Sequence, residues 1–248
     1  MDAGLARIAQ QSDPRKVRIV HGKKVAWSEV WEHNPRIAKP NEQGRFNIVY
    51  GRDPVTNMRG YHTFKTPEQW GYNLDYRPAV GELYFNEAER QFGSHYAGRL
   101  IIEPNIKQSG SPNKQWPWHY WQQLADMLNA AGIKPTQLGQ ATVKRLEGVD
   151  LVVTPRFRDA CAVISYAQGV VLHESGLHHA AAALNIKGVV LFGGFTPVEL
   201  TGYPMHRNLG ASLGEACGMR IHCQHCKDWM ASITPQAVFD NLMGILNA

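Results

Sequence analysis

From Leu100 onward the chain alternates short apolar runs with segments of helical periodicity, and this alternation limits its fold more than any other feature. The apolar runs are "LIIEP", "IKPTQLG", "GVVLHES" and "GVVLFGG", and the helical segments between and after them are "WHYWQQLADMLNAAG", "RFRDACAVISYAQ", "SGLHHAAAALNI" and "TPQAVFDNLMGILNA". Strands separated by helices of this length predict a parallel sheet with helices on both faces. We therefore predict an α/β fold with a Rossmann-like sheet, whose ligands bind at the carboxyl ends of the strands.

Two of the helices carry clear sequence markers of their faces and ends. In the first, Trp121, Leu124, Ala125 and Leu128 fall on one face, and Gly132 is a natural C-terminal stop. In the last, Thr234 is placed as the N-cap and Pro235 as the first helical residue.

Residues 1–98 have an irregular sequence pattern. "VRIV", "KVAW" and "FNIVYG" are strand candidates, and the segments between and after them are rich in Pro, Gly, Asn and aromatic residues without a sustained helical period. We therefore predict a reduced, irregular N-terminal region over residues 1–98, followed by a nucleotide-binding domain over residues 99–248.

The formal net charge of +5 and the pI of about 9.0 favour acidic partners. Nucleotides, phosphorylated glycans, nucleic acid and anionic membrane surfaces all qualify, although the basic residues are scattered and also suit an ordinary solvated face. The sequence contains no apolar run of the ~18 residues that a membrane span needs. Its first 20 residues lack the apolar core of a signal peptide, so we expect a cytoplasmic protein.

The stretch "HESGLHH" concentrates three histidines and a glutamate in seven residues, which raises the question of a metal site. A zincin helix needs two histidines four residues apart, with a glutamate beside the first. Four residues after His173 the chain has Leu177, and His178 comes one residue late. The spacing therefore argues against catalytic zinc.

The same stretch is better suited to a helix N-terminus. Ser175 is a natural N-cap, and Gly176 removes a side chain from the first turn. The exposed amides and the helix dipole would attract a phosphate, although an ordinary strand–turn–helix remains an alternative. Lys114 follows the first strand of the sheet and can place a point charge on the same rim, next to tryptophans that we assign to core packing.

Three motifs in this order resemble those of the family 9 glycosyltransferases, the ADP-heptose:lipopolysaccharide heptosyltransferase family. That family has an acidic residue at a strand end, then Thr-Gly, two residues and His at the start of a helix of small residues; here the stretch runs from Glu174 to Leu184. The family also has a strand ending in Phe-Gly before a Pro-containing turn, which here is "VVLFGGFTP". Its third motif is a Lys before a Trp-Pro that leads into a helix, and here Lys114 precedes Trp116 and Pro117. The resemblance spans about residues 100–248.

The resemblance implies roles for these residues. Lys114 and the Ser175–Gly176 helix start would hold the diphosphate of a nucleoside diphosphate sugar, and Glu174 would hydrogen-bond the donor sugar. His179 would orient the loop or reach the phosphate. Leu177 and Gly193 complete the donor-binding set as members of the matching motifs. This chain departs from the family pattern with Glu for Asp, Ser for Thr and an additional His178.

The family fold, GT-B, has two Rossmann-like domains that face each other across a cleft, so the resemblance implies a GT-B-like protein with a shortened N-terminal domain. Residues 1–98 lack the family's glycine-rich first turn and its catalytic Asp. A catalytic base would then come from among Asp13, His21, Asp53 and His62, each of which is equally suited to a surface or turn position.

Three of the four cysteines crowd together as Cys217, Cys223 and Cys226. The last two have a metal-ligand spacing, and His206, His222 or His225 can complete four ligands. A structural zinc site, reduced thiols and an iron–sulfur centre stay open as alternatives. Cys161, inside a predicted helix, is assigned to the core.

The resemblance implies an inverting, metal-independent transferase without a catalytic cofactor. It would move a heptose-like sugar, with ADP-heptose as the family donor, to a glycan or lipopolysaccharide acceptor. A binding protein that has lost catalysis and a transferase acting on nucleic acid are the alternatives.

Overall fold

The computed structural model describes residues 2–107 and 110–247 of the chain. Its N-terminal region contains a three-stranded sheet, a two-stranded hairpin and two helices. These elements are α1 (Asp2–Ala9), β1 (Val17–His21), β2 (Lys24–Val25), β3 (Asn47–Arg52), β4 (His62–Lys65), β5 (Trp70–Tyr72) and α2 (Glu87–Ser94). The sheet has the order β2–β1–β3, with β1 parallel to β3 and antiparallel to β2, and β4 pairs with β5.

The three predicted strands of this region are confirmed as β1, β2 and β3. Its two helices were not predicted. Helix α2 begins with a capping box in which Asn86 and Glu89 bond each other's backbone N–H groups.

The second part of the chain forms one six-stranded sheet with helices between its strands. Its elements are β6 (Leu100–Glu103), α3 (Trp118–Ala130), β7 (Pro135–Gly139), β8 (Asp150–Val153), α4 (Phe157–Ile164), β9 (Gly169–His173), α5 (Gly176–Ala183), β10 (Gly188–Gly193), α6 (Val198–Thr201), β11 (His206–Gly210), α7 (Gln224–Ser232) and α8 (Pro235–Leu246). The order is β11–β10–β9–β6–β7–β8, and every pair is parallel. The predicted parallel α/β sheet is confirmed.

Both faces of this sheet are buried, as the continuous apolar runs predicted. Leu100 and Ile102 point to a core shared with α3 and α8, whereas Ile101 points to a core shared with α4 and α5. In α3 the predicted face is fully buried. Gly132 ends the segment with φ of 77°, and Thr234 Oγ1 caps α8 by accepting the Ala237 N–H at 3.2 Å.

The N-terminal region is joined to the sheet through α2, which packs on α4. Arg158 on α4 forms a buried ion pair with Glu89 at 2.7 Å and donates to the carbonyls of Glu29 and Tyr84. Helix α2 lies before residue 98, where we predict the boundary, and the division into residues 1–98 and 99–248 stays a prediction. Among the described residues, no helix combines the length and hydrophobicity needed to cross a bilayer.

Candidate functional site

The strand order reverses between β6 and β9, because the chain builds outward from β6 to β8 and then returns to the other side of β6. In sheets of this order, the loops that follow the two central strands diverge and leave a crevice at their carboxyl ends. The loop after β6 carries Lys114, and β9 runs directly into Glu174 and Ser175. The topology therefore brings two motifs that are distant in sequence to one edge of the sheet.

Lys114 and Glu174 form an ion pair at this edge. A short 3₁₀ turn, Pro112–Lys114, presents the lysine, and Ser111 caps that turn through the Asn113 N–H. The Lys114 ammonium also donates to the Glu174 backbone carbonyl at 3.3 Å and lies 5.3 Å from the centre of the Phe195 ring. The cation is thus held by the chain itself at the position where the diphosphate was predicted.

The Glu174 carboxylate is buried, yet it is ionised. Burial disfavours the charge, but Lys114 and a long hydrogen bond from Thr201 Oγ1 hold the pKa of Glu174 below its ordinary value. The lysine dominates these favourable interactions. Glu174 is therefore a fixed acceptor, ready to receive hydrogen bonds from a hydroxyl-rich ligand.

The α5 N-terminus is capped as predicted by Ser175, whose Oγ accepts the Leu177 N–H at 3.3 Å. In return, His178 Nδ1 accepts the Ser175 N–H at 2.8 Å, and its Nε2–H donates to the Thr201 carbonyl at 2.9 Å. Burial lowers the pKa of His178, so the ring stays neutral in this tautomer. The histidine that the sequence left without a role is a capping residue that also fastens α5 to α6.

The first turn of α5 still offers an anion site. The amide at the first position of a helix has no acceptor inside it, and here it belongs to Gly176, because the Ser175 side chain caps the next two amides. Gly176 has no side chain to cover it, and a Cβ there would meet the Phe157 ring at 3.0 Å. The positive end of the helix and the Lys114 ammonium therefore flank one edge of the sheet.

The other two histidines of the motif also have protein partners. His173 is buried under Trp121, its Nε2 accepts the Trp116 N–H at 3.1 Å, and burial lowers its pKa to about 3. His179 Nδ1 lies 2.8 Å from the Tyr203 hydroxyl. Ligand atoms of Glu174, His178 and His179 come within 4.8 Å of one another, but each of these side chains already has a hydrogen-bond partner, which makes the group a poor metal site.

Gly193 ends β10 with φ of 61°, a conformation that favours glycine. The turn that follows leads to Phe195, whose carbonyl accepts a hydrogen bond from the Tyr72 hydroxyl at 2.7 Å. Strand β5 of the N-terminal region therefore contacts the edge of the sheet next to Lys114.

Three neighbouring cavities have volumes of about 580, 360 and 240 Å³. The two smaller ones reach α5, whereas the largest is lined by the N-terminal region alone. Arg59 lines all three, and His179 lines the two smaller ones. Asp2 is buried and accepts a hydrogen bond from the Arg59 guanidinium at 2.8 Å. Sequence reasoning missed both Asp2 and Arg59, since no motif or spacing marks them.

The four candidate bases lie in different surroundings. His21 lines the 360 Å³ cavity with His179, and its Nε2 is 2.9 Å from the Asp2 carboxylate. His62 and Asp53 line the 580 Å³ cavity. Asp13 lies outside all three cavities and forms a surface ion pair with Arg15.

Two of the candidates are weak bases in this structure. Burial lowers the pKa of His62 to about 4. Asp53 accepts from two backbone N–H groups and the Thr56 hydroxyl, which lower the pKa of its carboxyl.

The cysteine cluster comes together in the loop after β11 and the first turn of α7. The ligand atoms of Cys217, Cys223, His225 and Cys226 all lie within 4.8 Å of one another, so these four side chains can hold a metal ion. Cys161 is buried in α4, as predicted.

The family model described as "Glycosyltransferase family 9 (heptosyltransferase)" matches residues 58–230, which is well over half of the chain. No curated protein matches the chain by sequence.

Among solved structures, the chain is similar to ADP-heptose lipopolysaccharide heptosyltransferase II of E. coli, with 22% identity and a TM-score of 0.52 over 68% of this chain and 55% of that one. It is equally similar to a family 9 glycosyl transferase from Veillonella parvula, with 15% identity and a TM-score of 0.52 over the same shares of the two chains. At these identities the likeness concerns the fold alone, and it agrees with the predicted GT-B-like α/β class. The matched part is 55% of the length of these relatives.

Proposed function

Because the chain belongs to glycosyltransferase family 9, we propose that it transfers a heptose-like sugar from a nucleoside diphosphate sugar to a glycan acceptor. The observation that carries this proposal is the meeting of Lys114, Glu174 and the α5 N-terminus at the carboxyl ends of β6 and β9. A cation, a fixed carboxylate and an open helix amide are the groups that a sugar diphosphate requires.

In the proposed complex, the diphosphate lies against the Gly176 amide at the positive end of α5 and takes Lys114 as its counter-ion. The lysine then exchanges part of its contact with Glu174 for the phosphate oxygens. The freed carboxylate oxygen accepts a hydrogen bond from a hydroxyl of the donor sugar. ADP-heptose is the donor we expect, as the family implies.

The chemical step is a single displacement. A base takes the proton of the acceptor hydroxyl, whose oxygen forms a bond to the anomeric carbon while the bond from that carbon to the diphosphate oxygen breaks. Attack opposite to the leaving group inverts the anomeric centre. Lys114 and the helix amide stabilise the charge of the leaving diphosphate, the task that a divalent ion performs in other enzymes.

His21 is the base we propose from the four candidates. It shares its cavity with His179, and the Asp2 carboxylate at 2.9 Å can orient the ring and balance the positive charge that the ring gains. His62 and Asp53 are weakened by lowered pKa values, and Asp13 lies outside the three cavities.

The 580 Å³ cavity is the acceptor site we propose. Arg52, Arg59, Tyr50 and Tyr61 line it, and Arg52 Nε is buried without a hydrogen-bond partner among the described residues. Guanidinium groups bind phosphate and carboxylate, and tyrosine rings pack on sugar rings. This chemistry suits an anionic glycan such as a lipopolysaccharide core. The net charge of +5 also suits a cytoplasmic protein that meets this acceptor at an anionic membrane surface.

Calorimetric titration with ADP-heptose tests the donor site. We expect Lys114→Ala to weaken binding at least tenfold, since it removes the charge that faces the diphosphate. Lys134→Ala is the matched control, because Lys134 is an exposed lysine that precedes β7, at the opposite edge of the sheet. Equal affinities of the wild type and Lys114→Ala would place the donor elsewhere.

A transfer and donor-hydrolysis assay tests the chemistry. We expect turnover by the wild type, and loss of turnover with retained donor binding in His21→Gln. Binding without turnover in the wild type would instead favour a protein that has lost catalysis. Salt-dependent binding of DNA at low salt would favour a nucleic-acid acceptor.

A further inference from the structure

The cysteine cluster lies outside the proposed donor and acceptor sites and is arranged as a four-ligand site. Cys217 Sγ is 3.2 Å from Cys226 Sγ and 3.9 Å from Cys223 Sγ, and the His225 ring nitrogen lies within 4.8 Å of the sulfur atoms. Cys223 precedes α7, while His225 and Cys226 belong to its first turn, so the helix itself fixes three of the four ligands. Cys226 is fully buried and His225 is exposed.

We propose that Cys217, Cys223, His225 and Cys226 bind one zinc ion. Three thiolates and an imidazole around a tetrahedral centre are a common structural zinc set. A cubane iron–sulfur cluster normally takes four cysteines, and the fourth cysteine of this chain, Cys161, is buried in the core of the opposite face of the sheet.

The metal-binding loop, residues 217–226, is bonded to the segment that presents Lys114. Asn113 is the residue directly before that lysine. Its Oδ1 accepts the Cys223 N–H at 3.0 Å, and its Nδ2 donates to the Ile221 carbonyl at 2.7 Å. Ser111 Oγ, which caps the same 3₁₀ turn, donates to the Arg220 carbonyl at 3.0 Å. The position of Lys114 therefore depends on the conformation of this loop.

The loop also contacts the other two sides of the site. The Cys217 N–H donates to the Gly194 carbonyl at 3.0 Å, in the turn after β10, and the Gly218 N–H donates to the Phe195 carbonyl at 3.1 Å. From the N-terminal region, the Trp70 N–H donates to the Gly218 carbonyl at 2.9 Å. A zinc ion that fixes the loop thus holds together the lysine segment, the β10 turn and the β4–β5 hairpin.

Metal content of the reduced, purified protein tests the site without any nucleotide. We expect one zinc per chain in the wild type and in Cys161→Ala, the matched control, and far less than one in Cys226→Ser. Because Cys226 is buried and its replacement can unfold the chain, His225→Ala at an exposed position is the second variant. It should keep the far-ultraviolet circular dichroism of the wild type and bind zinc at least tenfold more weakly.

Two results would overturn the site. One is that the reduced wild-type protein neither contains nor takes up zinc. The other is a disulfide between Cys217 and Cys226 in protein that is isolated without reductant and whose free thiols are alkylated. Cobalt substitution adds an independent readout, since thiolate-bound tetrahedral cobalt has an intense visible absorption that His225→Ala should alter.

The positioning role rests on the proposed function and is tested separately with ADP as the probe. We expect chelator-stripped protein to bind ADP at least tenfold more weakly than the zinc-loaded form, and added zinc to restore the affinity. Equal affinities with and without zinc would overturn the positioning role. Zinc-loaded protein that does not bind ADP would refute the donor site, whereas the measured zinc content would still stand.

Discussion

Glu103, the last residue of β6, is a buried carboxyl beside the proposed donor site. Burial raises its pKa to about 8, although the Asn105 N–H donates to it at 2.8 Å. An unfolded chain ionises this group near pH 4.3, so its native burial makes the protein progressively less stable as the pH rises from there to about 8. Glu103→Gln removes this effect. We expect it to stabilise the protein at pH 9 by on the order of 1–4 kcal/mol more than at pH 5.

Urea unfolding of the wild type and Glu103→Gln at the two pH values measures this difference. Glu87→Gln is the control, because Glu87 is an exposed residue in the first turn of α2. A pH-independent effect of Glu103→Gln would show that Glu103 is ionised in the native protein.

Local residue chemistry predicted part of the site, and tertiary contacts decided the rest. The Ser175 cap follows from the type and position of one residue, and it was found in the sequence. The role of His178 requires the Thr201 carbonyl, which is 23 residues further along the chain. Arg59 lines two cavities that form only where the N-terminal region meets α5, so no local pattern marks it.

At the level of elements, the buried strands and the long amphipathic helices were predicted because their apolar periods are regular. Strands β8 and β11 were missed. Both lie at the edges of the sheet, and "DLVV" and "HRNLG" are short or polar. Helix α2 was missed despite its capping box, since its eight residues have few apolar positions and it is stabilised by the buried Arg158–Glu89 pair.

The end of β10 shows how one element depends on another. Gly193 has φ of 61°, and a Cβ there would meet Met230 of α7 at 2.9 Å. Gly214 has φ of 88° but open space around it. Gly193→Ala should therefore lower the free energy of unfolding by roughly 2–4 kcal/mol and Gly214→Ala by roughly 1 kcal/mol, because only the first also disturbs packing.

Chemical denaturation of the two variants at pH 7 measures this difference. Equal losses would mean that α7 shifts freely and that its packing on β10 contributes little. Such a shift of α7 would also weaken the contact between the metal-binding loop and the turn after β10.

At the level of the whole molecule, the fold was predicted from the sequence more completely than the functions of its two regions. The parallel sheet needs only the pattern of residues 99–248. The two smaller cavities need both regions, and the matched part is 55% of the length of the solved relatives. The proposed base and acceptor residues lie in the less regular region, where several polar residues suit these roles equally well from the sequence.

Buried neutral histidines should govern the acid stability of the whole protein. Burial lowers the pKa values of five histidines, which are His62, His173, His178, His179 and His206. In the unfolded chain each of these histidines binds a proton below about pH 6.5. Glu103 has the opposite effect, because it is protonated in the folded protein and ionises above about pH 4.3 in the unfolded chain. Unfolding below pH 6.5 should therefore take up protons through these histidines, and stability should fall as the pH drops through 6.5.

Each proton taken up on unfolding contributes about 1.4 kcal/mol per pH unit to the slope of stability with pH. Unfolding free energies from urea titrations at pH 5, 6, 7 and 8 give this slope directly. His206→Asn offers a check, because His206 lies at the start of β11, away from Lys114 and Glu174, and its pKa is lowered to about 4. This variant should have a shallower acid slope than the wild type. A stability that stays constant from pH 7 to pH 5 would mean that these histidines become protonated inside the folded protein, and that the neutral His178 cap of α5 is wrong.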